Sequence, residues 1–444
     1  MELVIFQSKS YQVKDGFMEF AISKYDITPK FPTYMEGYGG RNQRSTGVHD
    51  SIYVKSLLIK NNGEMVLIIS ADVCMISREL SDQLKKAIMT ESHPLKEENI
   101  LITSTHTHSG PALQTWLMHE HDEAYVDYFK LQVLSSVKEC FENLQEGIME
   151  FSSGETYIGM NRRQKTEKGV RLAPNPDEEI DRTLNVLIIK DMSGKIRVIV
   201  FNCSCHPTIL GGNNYLISAE FPGFACNELE KKHEGSVAMF LQGTAGDINP
   251  AIISKGKDYR ESYFTDVEFT GKILANDVNH LIKYGMKKII PSLACNMKEI
   301  YLPLGEFKID EFNRMVKNEE SYWKKYGSNI LKQIEKGDAP KEIPFKIGLI
   351  RLSRDIIIVA LEGEICNDYC RWIRCLDNKT QFIIVGYSNG WKSYLPTKEI
   401  LNEGGYETTV TYIWSEFPGP YSDKVQAIVL NAIKEGLSSM NMNT

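Results

Sequence analysis

An excess of positive charge, a paired-cysteine framework and long hydrophobic runs are all missing from this sequence. Lysine and arginine number 51 against 58 aspartates and glutamates, a formal net charge of −7, and no dense basic patch offsets it. Binding to a phosphate backbone depends on clustered cations, so nucleic acid is excluded as a partner. No stretch approaches the roughly 18 consecutive apolar residues that read as a membrane-crossing helix, so no transmembrane segment is expected. The start, Met1-Glu2-Leu3-Val4-Ile5-Phe6, has neither a basic lead nor a long apolar centre, so no secretory leader is expected. The nine cysteines are odd in number and scattered, which suits a reducing compartment, and the expected location is cytoplasmic. A phosphate-loop motif is absent too, which removes support for a P-loop nucleotide enzyme.

What is present is an ordinary globular composition, 42% hydrophobic and 25% charged over 444 residues, enough for a sizeable core. A first strand is predicted over 17–24, followed by a glycine-rich loop, Met35-Glu36-Gly37-Tyr38-Gly39-Gly40-Arg41, whose backbone freedom suits a position near a site. Strands over 52–59 and 65–70 flank Asn61-Asn62-Gly63, a hairpin turn signal. Ser77 is placed to cap a helix carrying Leu80, Leu84 and Ile88, and a second helix is predicted over 124–144. Strand character returns over 147–161, a long polar loop is expected to about Asp181, and a hairpin over 184–189 and 196–201 follows. A helix over 222–233, strands over 237–241, 345–352, 355–361 and 382–385, and a closing helix near 421–437 complete the pattern. The implied fold class is α/β: a mixed β-sheet core flanked by helices, in one large catalytic domain spanning 1–444. The Lys/Glu-rich segment 306–343 reads as a helical insertion or cap.

Several of these apolar strands end in polar or glycine-rich loops: Asp72, His106 and His108, His206, Asp247 and Glu364 all stand at such exits. Active sites of sheet enzymes collect there, because the strand holds a side chain still while the loop gives access. In Thr105-His106-Thr107-His108-Ser109-Gly110-Pro111 the two histidines stand two apart, so an extended backbone would point both to one side. Metal binding, catalysis and a plain polar strand end all remain open from this stretch alone. A His/His/carboxylate set with one open position is what catalytic zinc requires. Cys203 and Cys205 beside His206 form a competing Cys/His arrangement without a second cysteine pair at zinc-ribbon spacing, and His119-Glu120-His121-Asp122 reads as a solvated helix start.

Together with the Met35–Tyr38 loop, Ser70-Ala71-Asp72-Val73, Asn161-Arg162, His206-Pro207-Thr208, Gly246-Asp247, Gly363-Glu364 and the run from Asn389 to Tyr394, the His-Thr-His-Ser-Gly-Pro element resembles the neutral, non-lysosomal ceramidase family, in its N-terminal catalytic domain. The resemblance implies one zinc ion held by His106, His206, Glu364 and Tyr394, with Tyr394 either a ligand or a donor beside the metal. It implies that His108, Arg162 and Tyr406 face the substrate carbonyl as catalytic groups, and it puts Gly37 and Asn249 on the substrate side. The activity implied is hydrolysis of a linear amide, a carbon–nitrogen bond other than a peptide bond, in sphingolipid metabolism. Asn249 stands where the family motif Gly-Asp-x-Ser-Pro has serine, which points away from ceramide itself and toward another small N-acylated or lipid-like substrate. The family's C-terminal immunoglobulin-like domain has no counterpart, so a shorter cytoplasmic relative is expected. An ester or phosphoester hydrolase on the same scaffold and a non-catalytic lipid-binding homologue are the alternatives. Oligomeric state is left open.

Overall fold

Two β-sheets pack face to face, with helices on the outer side of each, in a computed structural model that describes residues 16–90, 94–115, 117, 120–317, 321–409 and 411–442. The N-terminal segment examined for a leader, and His119, lie outside the described residues. The large sheet runs in the order Val237–Gln242, Ile196–Cys203, Thr183–Asp191, Gln145–Glu155, Met18–Asp26, Tyr53–Asn61, Glu64–Ala71, Ile100–Ser104. Its pairs are antiparallel except at the two ends, where Glu64–Ala71 runs parallel with Ile100–Ser104 and Ile196–Cys203 with Val237–Gln242. The second sheet is Pro291–Pro303, Glu342–Ser353, Ile356–Leu361 and Gln381–Val385, its last pair parallel. The expected mixed α/β architecture is therefore present, with the strands divided between two sheets.

Alternation explains the layering. In the strand Tyr53–Asn61, Leu57 and Ile59 face the second sheet while Val54 and Leu58 face the helices. Between the sheets, Phe20, Leu57, Ile68 and Met239 pack with Ile350, Ile358 and Ile383. On the outer face, Arg78–Thr90 and Glu123–Glu142 cover one half of the large sheet, Glu220–Lys232 and Phe264–Tyr284 the other, and Val425–Met442 covers the second sheet. Burial on both faces is why so many strands read as nearly unbroken apolar runs. The turn Asn62-Gly63 has positive φ at both residues (52° and 88°), as a tight hairpin requires, and Ser77 Oγ accepts the Leu80 N–H at 3.1 Å as a helix cap.

Three expectations need correction. The segment read as a polar loop to Asp181 forms a hairpin, Gly159–Thr166 with Gly169–Asn175, and joins Ile248–Pro250 in a small sheet of its own. Its strand Gly169–Asn175 is only part-buried and does not alternate, so it carries no period-two hydrophobic signal. The long strand Pro291–Pro303 was missed because most of its residues are only half-buried. The helix Phe264–Tyr284 also went unread. Within 306–343, two helices form, Ile309–Val316 and Ser321–Lys336; Phe312, Tyr326 and Ile330 pack against Leu117 and Ile413, near the mouth of the site described next.

Strand ends from both edges of the large sheet meet. Gln242 Nε2 donates to Thr105 O (3.3 Å) and Cys205 O (2.8 Å), and Ser70 Oγ donates to Phe240 O (2.7 Å). Asn389 ties the second sheet in, its N–H donating to Ile102 O at 2.6 Å and its Oδ1 accepting the Ile102 N–H at 3.2 Å.

Candidate active site

His106 does not lie on extended backbone. The strand stops at Ser104, the Thr105 and His106 N–H groups donate to Ala71 O and Val73 O, and His106 takes φ +66°. The alternation argument for the two histidines is therefore overturned, although they do meet: a turn brings their Nε2 atoms to 3.0 Å. A non-glycine residue in the left-handed region carries strain that persists only where its surroundings over-determine it. Here the His106 ring is wholly buried, packs on Tyr387 with centroids 4.1 Å apart, and is held at Nδ1 by Cys74 O at 2.7 Å.

His206 arrives after Ile196–Cys203 and is held at Nδ1 by Ala245 O and by Ile248 O (3.2 Å). Glu364 comes from the second sheet, where Glu364–Ile365 pairs in parallel with Tyr394–Leu395 and sets Glu364 beside Tyr394. Gly363 precedes it with φ +88°, and a Cβ there would meet Ser393 O at 2.5 Å, so this close approach requires glycine. Glu364 Oε1 accepts from Trp391 Nε1 at 3.1 Å, which leaves Oε2 facing His206 Nε2 (3.2 Å) and His106 Nε2 (3.5 Å).

This donor set fits a metal. Both histidines direct Nδ1 at main-chain carbonyls, the second contact typical of metal-ligating imidazoles, and this turns the Nε2 lone pairs inward. Two nitrogen acceptors and a carboxylate oxygen, all within 4.8 Å of one another, repel unless a cation or a shared proton lies among them. Two imidazoles and a carboxylate are the ligand types of catalytic zinc. Cys74, His106 and His108 form a second group, but His106 Nδ1 is committed to Cys74 O, and burial pushes the Cys74 thiol well above its usual range. Cys203 and Cys205 enter neither group among the described residues. Burial, then Arg162, lowers His206 to about 4. Burial opposes ionisation of Glu364, but His106 and His206 outweigh it and hold the carboxyl well below its usual range.

Arg162 stands behind the opposite wall, which Tyr394 and Tyr406 form. Its N–H donates to Asp247 O at 2.9 Å, and its guanidinium donates to Glu407 Oε1 (3.1 Å), Asn249 Oδ1 (3.3 Å) and the Tyr394 hydroxyl oxygen (3.1 Å). Tyr394 accepts from Arg162, so its own O–H is free to point elsewhere. Tyr406 stands edge-on to Tyr394 at 5.8 Å and lies 5.5 Å from the Arg162 guanidinium carbon. Tyr394, Tyr406, His106, His108 and Glu364 all line one cleft of about 580 Å³, partly open to solvent, with Trp391, Trp414 and Met75 as its apolar surface. Asn249 is set back from this cleft, between Arg162 and the Tyr259 hydroxyl (3.1 Å). Gly37 does line it: with φ +100°, it lies against the His108 ring so closely that a Cβ would meet Cγ at 2.5 Å.

Of the other strand-end acids, Asp72 is engaged away from the cleft, accepting the Tyr53 N–H, and Asp247 accepts the Asn367 N–H at 2.7 Å, bracing the chain that carries Glu364. Sequence reasoning missed Glu407, which ion-pairs with both Arg162 and Arg163, and Arg41, whose guanidinium donates to the carbonyls of Glu36, His108 and Asn214. Glu407 carries no local signal, since it acts on a chain segment remote in sequence, and Arg41 stood in the glycine-rich loop with no role of its own assigned. Tyr387 and Trp391, which contact the Glu364 carboxylate, lie in or next to the stretch singled out before Tyr394.

"Neutral ceramidase A" of Dictyostelium discoideum is 27% identical over 274 residues, covering 54% of this chain and 36% of that protein. "Neutral ceramidase" of Pseudomonas aeruginosa is 25% identical over 251 residues, 52% of this chain and 37% of that one. The matched part thus spans little more than a third of these relatives' length. The crystal structure of the Pseudomonas aeruginosa neutral ceramidase superposes with a TM-score of 0.77 at 17% identity, covering 97% of this chain and 75% of that one, a likeness of fold. The family profile described as neutral/alkaline non-lysosomal ceramidase, N-terminal, matches residues 19–265, more than half of the chain, and on that match the protein belongs to this family.

Proposed function

We propose that this protein is a zinc-dependent hydrolase of a linear amide, ceramidase-like in chemistry, acting on a small N-acylated substrate. The observation that carries the reading is the convergence of His106, His206 and the free oxygen of Glu364 at one end of an aromatic cleft, in a chain of ceramidase kinship. His106, His206 and Glu364 would hold the zinc, with Tyr394 beside them on the neighbouring strand. Bound there, zinc supplies Lewis acidity and a nucleophilic water at neutral pH.

The chain's own groups do the rest. His108 presents Nε2 next to the ligand His106 and is available to exchange a proton with the substrate nitrogen. Tyr406 and the Tyr394 O–H are the hydrogen-bond donors on the cleft wall for the oxyanion, and Arg162 holds Tyr394 in place with its positive charge behind it. Trp391 fixes which Glu364 oxygen faces the histidines. Asn249, contacting Arg162 in place of the family's serine, favours a substrate other than ceramide. The whole chain is proposed as one catalytic unit, with 306–343 as a cap over the mouth, and nine unpaired cysteines support a cytoplasmic setting.

Purified protein is expected to carry one zinc ion per chain. Chelation should abolish turnover of an N-acyl amide panel and zinc should restore it. His106→Ala and Glu364→Ala should lose both metal and activity. Full metal content in both variants would overturn the ligand assignment, and turnover of esters or phosphoesters but not amides would overturn the reaction class.

A further inference from the structure

The helix Phe264–Tyr284 buries Val267, Leu274, Ala275 and Val278 against the large sheet and turns its other face outward. From Phe269 on, the exposed positions are Phe269, Lys272, Ile273, Asn276, His280, Lys283 and Tyr284, spaced three and four apart as a single stripe requires. Phe269 is 57% and Tyr284 68% exposed, so both rings reach solvent. No acid stands on the stripe: Glu268 and Asp277 are half-buried at its flanks, and Asp277 accepts from the Thr156 hydroxyl at 2.8 Å. Lys272 lies over the Phe224 ring at 5.7 Å and Lys283 over the Tyr284 ring at 4.7 Å, and neither pairs with a carboxylate among the described residues. Gly271 brings a second helix alongside. A Cβ there would meet Phe224 Cβ at 2.8 Å, so Glu220–Lys232 approaches closely, and its Lys231 and Lys232 share a groove of about 560 Å³ with Lys272. Glu228 is the one acid lining that groove, and it pairs with Lys231 at 2.7 Å. The sequence has no dense basic run, yet the fold assembles a basic surface from two helices in a chain of net charge −7.

Lysines interleaved with exposed aromatic and aliphatic groups match an anionic lipid surface. There the cations meet headgroup phosphates, while Phe269, Ile273 and Tyr284 enter the boundary between headgroups and acyl chains. A second copy docked symmetrically would set the same lysines against one another. A protein partner would cover Lys272 in the middle of the contact, where interfaces are poor in lysine. We propose that the outward face of Phe264–Tyr284, together with Lys231 and Lys232, docks this protein on anionic lipid bilayers. The docking goes beyond the amide-hydrolase reading and does not depend on it.

Sedimentation of the full chain with vesicles of phosphatidylcholine alone, or with one-third phosphatidylserine, tests this without any turnover. Native protein should bind the mixed vesicles and not the neutral ones, and less so as salt rises. Lys272→Gln with Lys283→Gln should weaken binding by roughly ten-fold or more. Phe269→Ser with Ile273→Ser, which leaves the charge unchanged, should weaken it by about as much. All four side chains are exposed, so the urea midpoint of each variant should stay at the native value. Lys86→Gln with Lys138→Gln makes the same charge change on the helices over the other half of the large sheet and should leave binding unmoved. Native binding to neither vesicle, equal binding to both, or an equal loss in the Lys86 and Lys138 pair would overturn the proposal. Dextran sulfate bound as tightly as the mixed vesicles, and unaffected by the Phe269 and Ile273 changes, would reduce the face to a general polyanion site and overturn it as well. A dimer of the native chain that the Phe269 and Ile273 changes dissolve would assign the face to a second copy instead.

Discussion

Glu407 holds two guanidiniums inside the protein, its carboxylate oxygens divided between Arg162 and Arg163 with all three residues almost fully buried. Removing one member of a buried ion pair leaves an uncompensated charge, an effect of about 3–5 kcal/mol. Glu407→Ala should therefore lower unfolding stability by about that amount in urea titration, and Arg162 should lose its fixed aim at Tyr394. Lys231→Ala breaks an exposed pair with Glu228 and should cost about 0.5 kcal/mol or less in the same assay. Equal effects would show that burial is not what makes Glu407 matter. Asn249 belongs to this scale too: the resemblance implied that it stands on the substrate side, whereas the structure sets it behind Arg162 and off the cleft surface.

The loop from Met35 to Arg41 is an element whose composition reported its role before its contacts were known. Gly37 is the one position where a Cβ would strike the His108 ring, and its φ of +100° is strained for any other residue. Gly37→Ala should displace that ring while leaving His106, His206 and Glu364, which other elements hold, in place. Displacement of a catalytic group by about 1 Å can cost roughly 100-fold in rate. The expected result is a fall of that order in turnover with zinc content unchanged; a parallel loss of zinc would mean that the loop supports the ligands as well. The hairpin Gly159–Thr166 and Gly169–Asn175 carries the opposite lesson. It positions Arg162 by pairing Asn161 with Ile248, yet its part-buried strand Gly169–Asn175 gave no periodic signal.

Across the whole molecule, stacking two sheets between helices leaves ionisable groups with no route to water. Burial raises Glu220, which accepts the Leu210 and Phe221 N–H groups, to about 7, and raises Asp247 likewise to about 7. A carboxyl whose folded pKa is raised contributes stability that is complete below its unfolded pKa and is lost as pH climbs through about 7. His206, lowered to about 4, acts with the opposite sign, losing its contribution as pH falls from its unfolded value toward 4. The prediction is therefore a difference: native stability minus that of Glu220→Gln should decline between pH 5 and 7.5, with a slope of at most about 1.4 kcal/mol per pH unit. A flat difference curve from urea midpoints would show that Glu220 is ionised throughout.

Strand positions, the Asn62-Gly63 turn, the Ser77 cap and the polar residues at strand exits were legible from sequence, because each depends on neighbours within a few positions. The motif order also pointed to the family and, through it, to His106, His206, Glu364, Tyr394 and Arg162 as companions. Tertiary structure alone decided that the strand ends from both sheets converge, through Gln242 and Asn389 tying edges that lie far apart in the chain. It also decided that the two histidines meet through a left-handed turn at His106, that Glu407 neutralises two arginines, and that lysines of two helices line one groove. Those facts depend on which surfaces pack together, and side-chain alternation along a strand carries no record of the partner that a distant segment will bring.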